Sequence, residues 1–273
     1  MDPIRNSYYS KGIITNKDFF NSIINSPMND TKTSNGTGKI EFPIRINRYL
    51  FLKGHCSRRE ADRLIEKGQV KINGKTAEVG QKIEKKDKVE ISKEIEKIAD
   101  NRVYLAFNKP KGVVTHNPID GQKSIDDVLK YPKKVFPMGR LDKESHGLII
   151  LTNDGRITNA LLNPENEHEK EYTVEVNRRI DLNFIKNMEK GVSIEGYKTK
   201  PAKITKTDAR VFNIVLTEGK KHQIRRMCSS QRYEVNDLKR IRVMSVKLKN
   251  LRAGQYREIK GEELKKFLDD LKI

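Results

Sequence analysis

Cysteine is nearly missing from this sequence. Cys56 and Cys228 are the only two in 273 residues, and they lie far apart and outside any Cys-x-x-Cys pattern. That spacing argues against both a disulfide framework and a thiolate zinc site. His168, in HEKEY, lacks the second histidine of the HExxH motif, so no metal is expected. No apolar run approaches the roughly 18 residues of a membrane helix. The N-terminus has no basic segment followed by an apolar core. A soluble, cytoplasmic protein with no membrane partner is expected.

Acidic charge is in deficit too: 37 Asp and Glu face 56 Lys and Arg, a formal net charge of +19 and a pI near 9.7. Such an excess calls for a polyanion. The basic residues are spread through folded-looking segments instead of gathering on one amphipathic helix, so RNA is the expected partner.

The length allows one large domain and one small one. Residues 1–42 mix Asn, Ser, Thr and Lys with brief apolar patches and finish in TKTSNGTGK, the composition of a flexible tail. No chemistry is assigned there. Residues 43–92 read as a compact unit. Ile46, Leu50 and Phe51 recur at helical spacing, Ser57 opens SRREADRLIEKG with Glu60 three residues on as in a capping box, and Gly68 closes the helix. Ala61, Leu64 and Ile65 form its apolar face, leaving Arg58, Arg59, Arg63 and Lys67 for solvent or phosphate. QVKINGKTAEV is a hairpin turning at Asn73-Gly74, with Lys71 and Lys75 on its arms. The unit holds 13 Lys and Arg against 7 Asp and Glu, and its arginines cluster at a helix N-terminus, a natural phosphate-binding surface.

Residues 93–102 read as a connection and 103–273 as the larger domain. Val103–Phe107 is a predicted strand running into NKPKGVVTH, a loop in which Lys109 either contacts phosphate or, the preferred reading, packs and shapes the backbone. SIDDVLK predicts a short helix, KVFPMGR a strand, Ile157–Leu162 a helix stopped by Pro164, and EYTVEV a strand. Asp181–Lys190 fits a helix and residues 191–219 three or four antiparallel strands. If KKHQIRRMCSS is helical, Ile224, Met227 and Cys228 share a buried stripe and Arg225 lies off it. Strands at 234–237 and 241–248 and an amphipathic helix, GEELKKFLDDLKI, close the chain.

Chemistry concentrates in GRLDKESHGLIILTNDG, residues 139–155. Asp142 stands between Arg140 and Lys143, just before the apolar run Leu148–Leu151, which reads as a buried strand. An aspartate beside glycine often only caps a turn. An ionised carboxylate against a buried strand is nonetheless costly unless something pairs with it or uses it. Tyr172 shares one face with Val174 and Val176, where core packing is the default reading.

These segments resemble the pseudouridine synthases of small- and large-subunit ribosomal RNA. NKPKGVVTH, GRLDKESHGLIILTNDG, HEKEYTVEV and LTEGKKHQIRRMC match that family in order, and SRREADRLIEKGQVKINGK resembles the S4 RNA-binding domain; the likeness runs from residue 43 to about 270. Ser145 stands where threonine is commoner and keeps the hydroxyl. The resemblance implies an α+β catalytic domain on a central, largely antiparallel sheet, its site in a basic cleft, preceded by an S4 domain that holds RNA. It implies Asp142 as the nucleophile or base, Tyr172 stacked on the target uracil with its hydroxyl near the departing proton, and Arg225 ion-paired with Asp142. Arg140, Lys109 and the S4 cations would contact RNA.

That reaction breaks the N-glycosidic bond of a uridine, turns the uracil and rejoins it through carbon 5, with no metal, redox step or cofactor. The carboxylate either adds to the anomeric carbon or removes a proton from ribose carbon 2. To stay ionised in a closed pocket it needs a cation such as a bidentate arginine. The base must leave the stack to be reached. Glycoside hydrolysis would instead need two flanking carboxylates; Asp154 and Glu144 are near in sequence, but no recognised motif places either so. The expectation is a monomeric enzyme acting on ribosomal RNA, 23S foremost. Transfer RNA as substrate, and a non-catalytic assembly factor, stay open.

Overall fold

The computed structural model describes residues 40–93, 95 and 101–273. Most of the expected tail, 1–42, and connection, 93–102, lie outside the described residues. Those residues divide into two compact units, one up to residue 101 and one from 102 on. Among them, no helix is long and apolar enough to cross a membrane.

The first unit runs β1 (Ile44–Arg45), α1 (Ile46–Leu52), α2 (Arg58–Glu66), β2 (Val70–Ile72), β3 (Lys75–Thr76), β4 (Lys82–Ile83) and β5 (Val89–Ile91). Ser57 caps α2 by accepting from the Glu60 amide at 3.3 Å. Of the expected capping box only this half forms, because the Glu60 carboxylate takes Arg63 at 3.1 Å. Ala61, Leu64 and Ile65 bury against Ile46, Leu50, Val70 and Ile83. Asn73 (φ 52°) and Gly74 (φ 78°) make the β2–β3 turn, whose left-handed backbone suits this pair.

The second unit continues with β6 (Tyr104–Lys109), α3 (Ile125–Val128), β7 (Phe136–Met138), β8 (His146–Thr152), α4 (Ile157–Leu162) and β9 (Lys170–Val176). Then follow α5 (Leu182–Lys190), β10 (Ser193–Ile194), β11 (Tyr197–Lys198), β12 (Lys203–Lys206), β13 (Val211–Leu216) and α6 (Gln223–Ser230). β14 (Val235–Val243), β15 (Val246–Lys247), β16 (Tyr256–Glu258) and α7 (Gly261–Asp270) complete it. Nine strands form one sheet in the order β12-β13-β9-β14-β8-β6-β16, with β15 on β14 and β7 on β8. Every pairing in it is antiparallel except β14 with β8.

One expectation is corrected here. Residues 234–248 do not split at DLKR; β14 runs unbroken from Val235 to Val243, with register shifts at Val235/Asp237 and Arg240/Arg242. Arg240, which falls between the two expected strands, is 3% exposed and sits mid-strand. Gly147, on β8, faces it: at φ +103° a Cβ would overlap the Arg240 backbone, so only glycine lets the two strands approach.

Candidate active site

Asp142 lies in the turn between β7 and β8, and neighbouring segments hold that turn by its backbone carbonyls. The Arg140 carbonyl accepts from Arg240 Nη1 at 3.5 Å. Leu141, buried, exchanges two bonds with Thr115: its N–H donates to Thr115 Oγ1 (3.1 Å), and that hydroxyl donates to the Leu141 carbonyl (2.8 Å). The Lys143 carbonyl accepts from the Gly112 amide at 2.8 Å and from Lys109 Nζ at 3.4 Å. The Glu144 carbonyl accepts from Arg225 Nη2 at 3.4 Å. The Ser145 amide closes the turn onto the Asp142 carbonyl at 3.0 Å. The backbone is thus occupied, while the Asp142 carboxylate stays 37% exposed. Its close neighbour is the imidazole of His222, whose Nε2 lies 3.4 Å from Oδ1.

The expected Arg225–Asp142 ion pair does not form. Arg225 projects off the buried stripe of α6 made by Ile224, Met227 and Cys228, as the helical spacing required. Its guanidinium then spans two carbonyls, Val235 at 3.0 Å and Glu144 at 3.4 Å, and no carboxylate lies within ion-pair distance among the described residues. Arg225 therefore ties the turn to the head of β14. His222, the residue before α6, takes the place beside Asp142 through a left-handed backbone at φ 51°. Such backbone strain in a non-glycine residue is typical of sites that must aim a side chain.

Lys109 is corrected as an RNA contact. It is fully buried, and its ammonium donates to the carbonyls of Pro110 (2.9 Å) and Val113 (2.6 Å) as well as Lys143, so it shapes the loop and the turn from beneath. Burial pushes its pKa down to about 8, against the pull of Glu144 and Asp142. Tyr172 is half-buried on β9, paired with Ile214 on one side and Arg240 on the other. It packs on the core of the outer strands and also on the cluster holding Leu141, which brings it to the Asp142 side of the sheet.

Arg140 is exposed, and so are Arg58, Arg59, Arg63, Lys67 and Lys75 in the first unit; Lys71 is half-buried. Asp154 is no second acid. It is 3% exposed, accepts from Tyr104 Oη at 2.6 Å and is gripped by Arg156 at 2.7 Å. Both cysteines are buried.

Sequence reasoning missed His222 and Arg240. His222 stands one residue before a helix, where a polar residue carries no pattern. For Arg240 a signal existed: Leu238, Arg240 and Val243 bury together along β14, and a strand reading of that stretch would have placed the arginine inside.

Residues 103–230 match the family model described as RNA pseudouridylate synthase, and residues 44–89 match the S4 domain. The chain is 43% identical over 223 residues to the Dual-specificity RNA pseudouridine synthase RluF of Escherichia coli K12, covering 81% of this chain and 77% of the relative. It is 34% identical to the Ribosomal large subunit pseudouridine synthase B of Bacillus subtilis, over 82% of this chain and 95% of that one. A solved structure, described as a crystal structure of pseudouridylate synthase, superposes with a TM-score of 0.59 at 27% identity, covering 84% of this chain and 99% of the other.

Proposed function

Because the chain belongs to the RNA pseudouridine synthase family and carries an S4 domain, we propose that Asp142 is the carboxylate acting at the ribose of a uridine in large-subunit ribosomal RNA. The observation that carries this is the turn itself. Its backbone is held at Arg140, Leu141, Lys143 and Glu144 from neighbouring segments, while among the described residues the carboxylate meets no side-chain donor other than the nearby His222. A nucleophile or base needs that combination of fixed position and open lone pairs.

The target uridine flips out of its helix and its uracil lies against Tyr172, whose ring replaces part of the lost stacking. Asp142 acts on the sugar, by adding to the anomeric carbon or taking the carbon 2 proton. The bond from carbon 1 to uracil N1 breaks. The uracil turns, carbon 5 bonds to carbon 1 as the Asp142–carbon 1 bond breaks or the carbon 2 proton is returned from Asp142, the carbon 5 proton leaves past the Tyr172 hydroxyl, and N1 takes up a proton in its place. Nothing is oxidised or reduced. Arg225 works as a positioning residue on the Glu144 carbonyl. Arg58, Arg59, Arg63, Lys67, Lys71 and Lys75 give the S4 domain its grip on phosphate.

The name of the Bacillus subtilis relative, a ribosomal large subunit synthase, supports the choice of large-subunit RNA, and transfer RNA, which the same catalytic residues would serve, is the second substrate to try. Wild type, Asp142→Ala and Asp142→Asn are incubated with each unmodified RNA, and pseudouridine is mapped by chemical labelling and primer extension. Modification of discrete uridines by wild type and by neither variant is the expected result. Turnover by Asp142→Asn, or none by wild type on either RNA, would overturn the reading.

A further inference from the structure

Three ionisable side chains outside the expected set meet beside the Asp142 turn. His146 Nε2 lies 2.8 Å from Asp237 Oδ2, and Lys111 Nζ lies 3.6 Å from Asp237 Oδ1. They come from three segments: His146 opens β8 four residues after Asp142, Asp237 is on β14, and Lys111 follows β6 in the loop whose Gly112 amide holds the Lys143 carbonyl. The carboxyl of Asp237 is held below its usual range by His146 and Lys111, although partial burial pushes it the other way.

The backbone explains why a side-chain bond matters here. β8 and β14 are parallel neighbours, yet they pair at two positions only, His146 with Lys239 and Gly147 with Arg240. Toward Asp142 the ladder stops. The His146–Asp237 bond lies just beyond its end, and Arg225, bridging Glu144 to Val235, follows as the next link.

We propose that His146 and Asp237 are positioning residues for the synthase reaction: their hydrogen bond, with Lys111 as counter-charge, extends the short β8–β14 ladder up to the catalytic turn and fixes Asp142 against β14. This inference rests on the reading of Asp142 as the acting carboxylate. Side chains of His146 and Asp237 are 22% and 38% exposed, and exposed pairs contribute little to stability. Their weight is therefore geometric, because a displacement of about 1 Å at a reacting group costs on the order of a hundredfold in rate. The Asp237 carboxylate accepts the Nε2 proton of a neutral ring as well as of a charged one, so an amide donor of similar reach can replace histidine.

The test uses the full chain with His146→Ala, Asp237→Ala, the double variant, His146→Gln and His146→Phe. Single-turnover pseudouridine formation is followed on an unmodified large-subunit RNA transcript, alongside affinity for that transcript. Each alanine variant is expected to lose between about tenfold and a hundredfold in rate, with affinity held within about twofold. The double variant is expected to be no slower than the worse single one, and His146→Gln to recover most of the rate. His146→Phe keeps the ring volume without the donor and stands in if the alanine variants do not fold. Wild-type rate in His146→Phe, multiplying losses in the double variant, or a glutamine no better than phenylalanine would each overturn the inference. Asp142→Asn is run in parallel. Turnover there removes the reading of Asp142 and this inference with it, whereas a dead Asp142→Asn beside a fully active His146→Phe removes this inference alone.

Discussion

Arg225 binds the carbonyl of Glu144, two residues past Asp142, and leaves the carboxylate itself to His222. The arginine's two acceptors sit on separate segments, Val235 and Glu144, so its contribution is to hold them at one spacing. Arg225→Ala is expected to lower the single-turnover rate about a hundredfold with much smaller loss of RNA affinity. Arg225→Lys should recover only part, since an ammonium lacks the planar fork that spans both carbonyls. Full recovery by lysine would speak for a simple charge on Asp142.

His222 touches the carboxylate but from an open position, with 49% and 37% of the two side chains exposed. Solvent screening limits such a pair to about 1 kcal/mol or less. His222→Ala is therefore expected to slow turnover by no more than about fivefold, far less than Asp142→Asn. Rate constants for both variants under identical salt make the comparison.

Lys109 supplies a pH signature. Its pKa in the folded chain is about 8, below the ordinary lysine value. Above that pH the native state has released a proton that the unfolded chain still keeps, so the stability governed by this residue rises with pH until the unfolded lysine titrates too. The difference in urea midpoint between wild type and Lys109→Met should shift toward wild type from pH 7 to 10, at up to about 1.4 kcal/mol per pH unit. A flat difference would mean the ammonium stays charged throughout.

Asp154 behaves oppositely. Buried, bound by Tyr104, Arg156 and Arg102, its carboxyl titrates below the usual value despite the burial that would raise it. Its contribution is complete above the unfolded pKa near 3.9 and disappears as pH falls through the lower folded value. Removing it strands half-buried arginines and a buried tyrosine, so Asp154→Ala is expected to cost about 3 kcal/mol at neutral pH. Denaturant titrations at pH 7 and across the acid range measure both effects.

Local patterns in the chain were legible where one element decides its own structure. Asn73-Gly74 turned as expected, Ser57 capped its helix, and the Ile224, Met227, Cys228 stripe left Arg225 outside. The α+β plan with a mostly antiparallel sheet stands as well. What could not be read was whatever depends on a distant partner. Arg240 is buried because β14 runs between β9 and β8, and Arg225 misses Asp142 because two carbonyls reach it first. Charge predicts exposure only until the backbone provides acceptors.

The bonds that hold the Asp142 turn reach far along the chain: Arg225 is 81 residues beyond Glu144, and Arg240 lies 92 residues beyond Leu148 and 100 beyond Arg140. During synthesis at roughly 5 to 20 residues per second, the turn would emerge roughly 5 to 20 s before β14 can fix it. The growing chain thus carries Asp142, the proposed acting carboxylate, in an unassembled setting, and on that proposal activity waits on one of the last strands to be made.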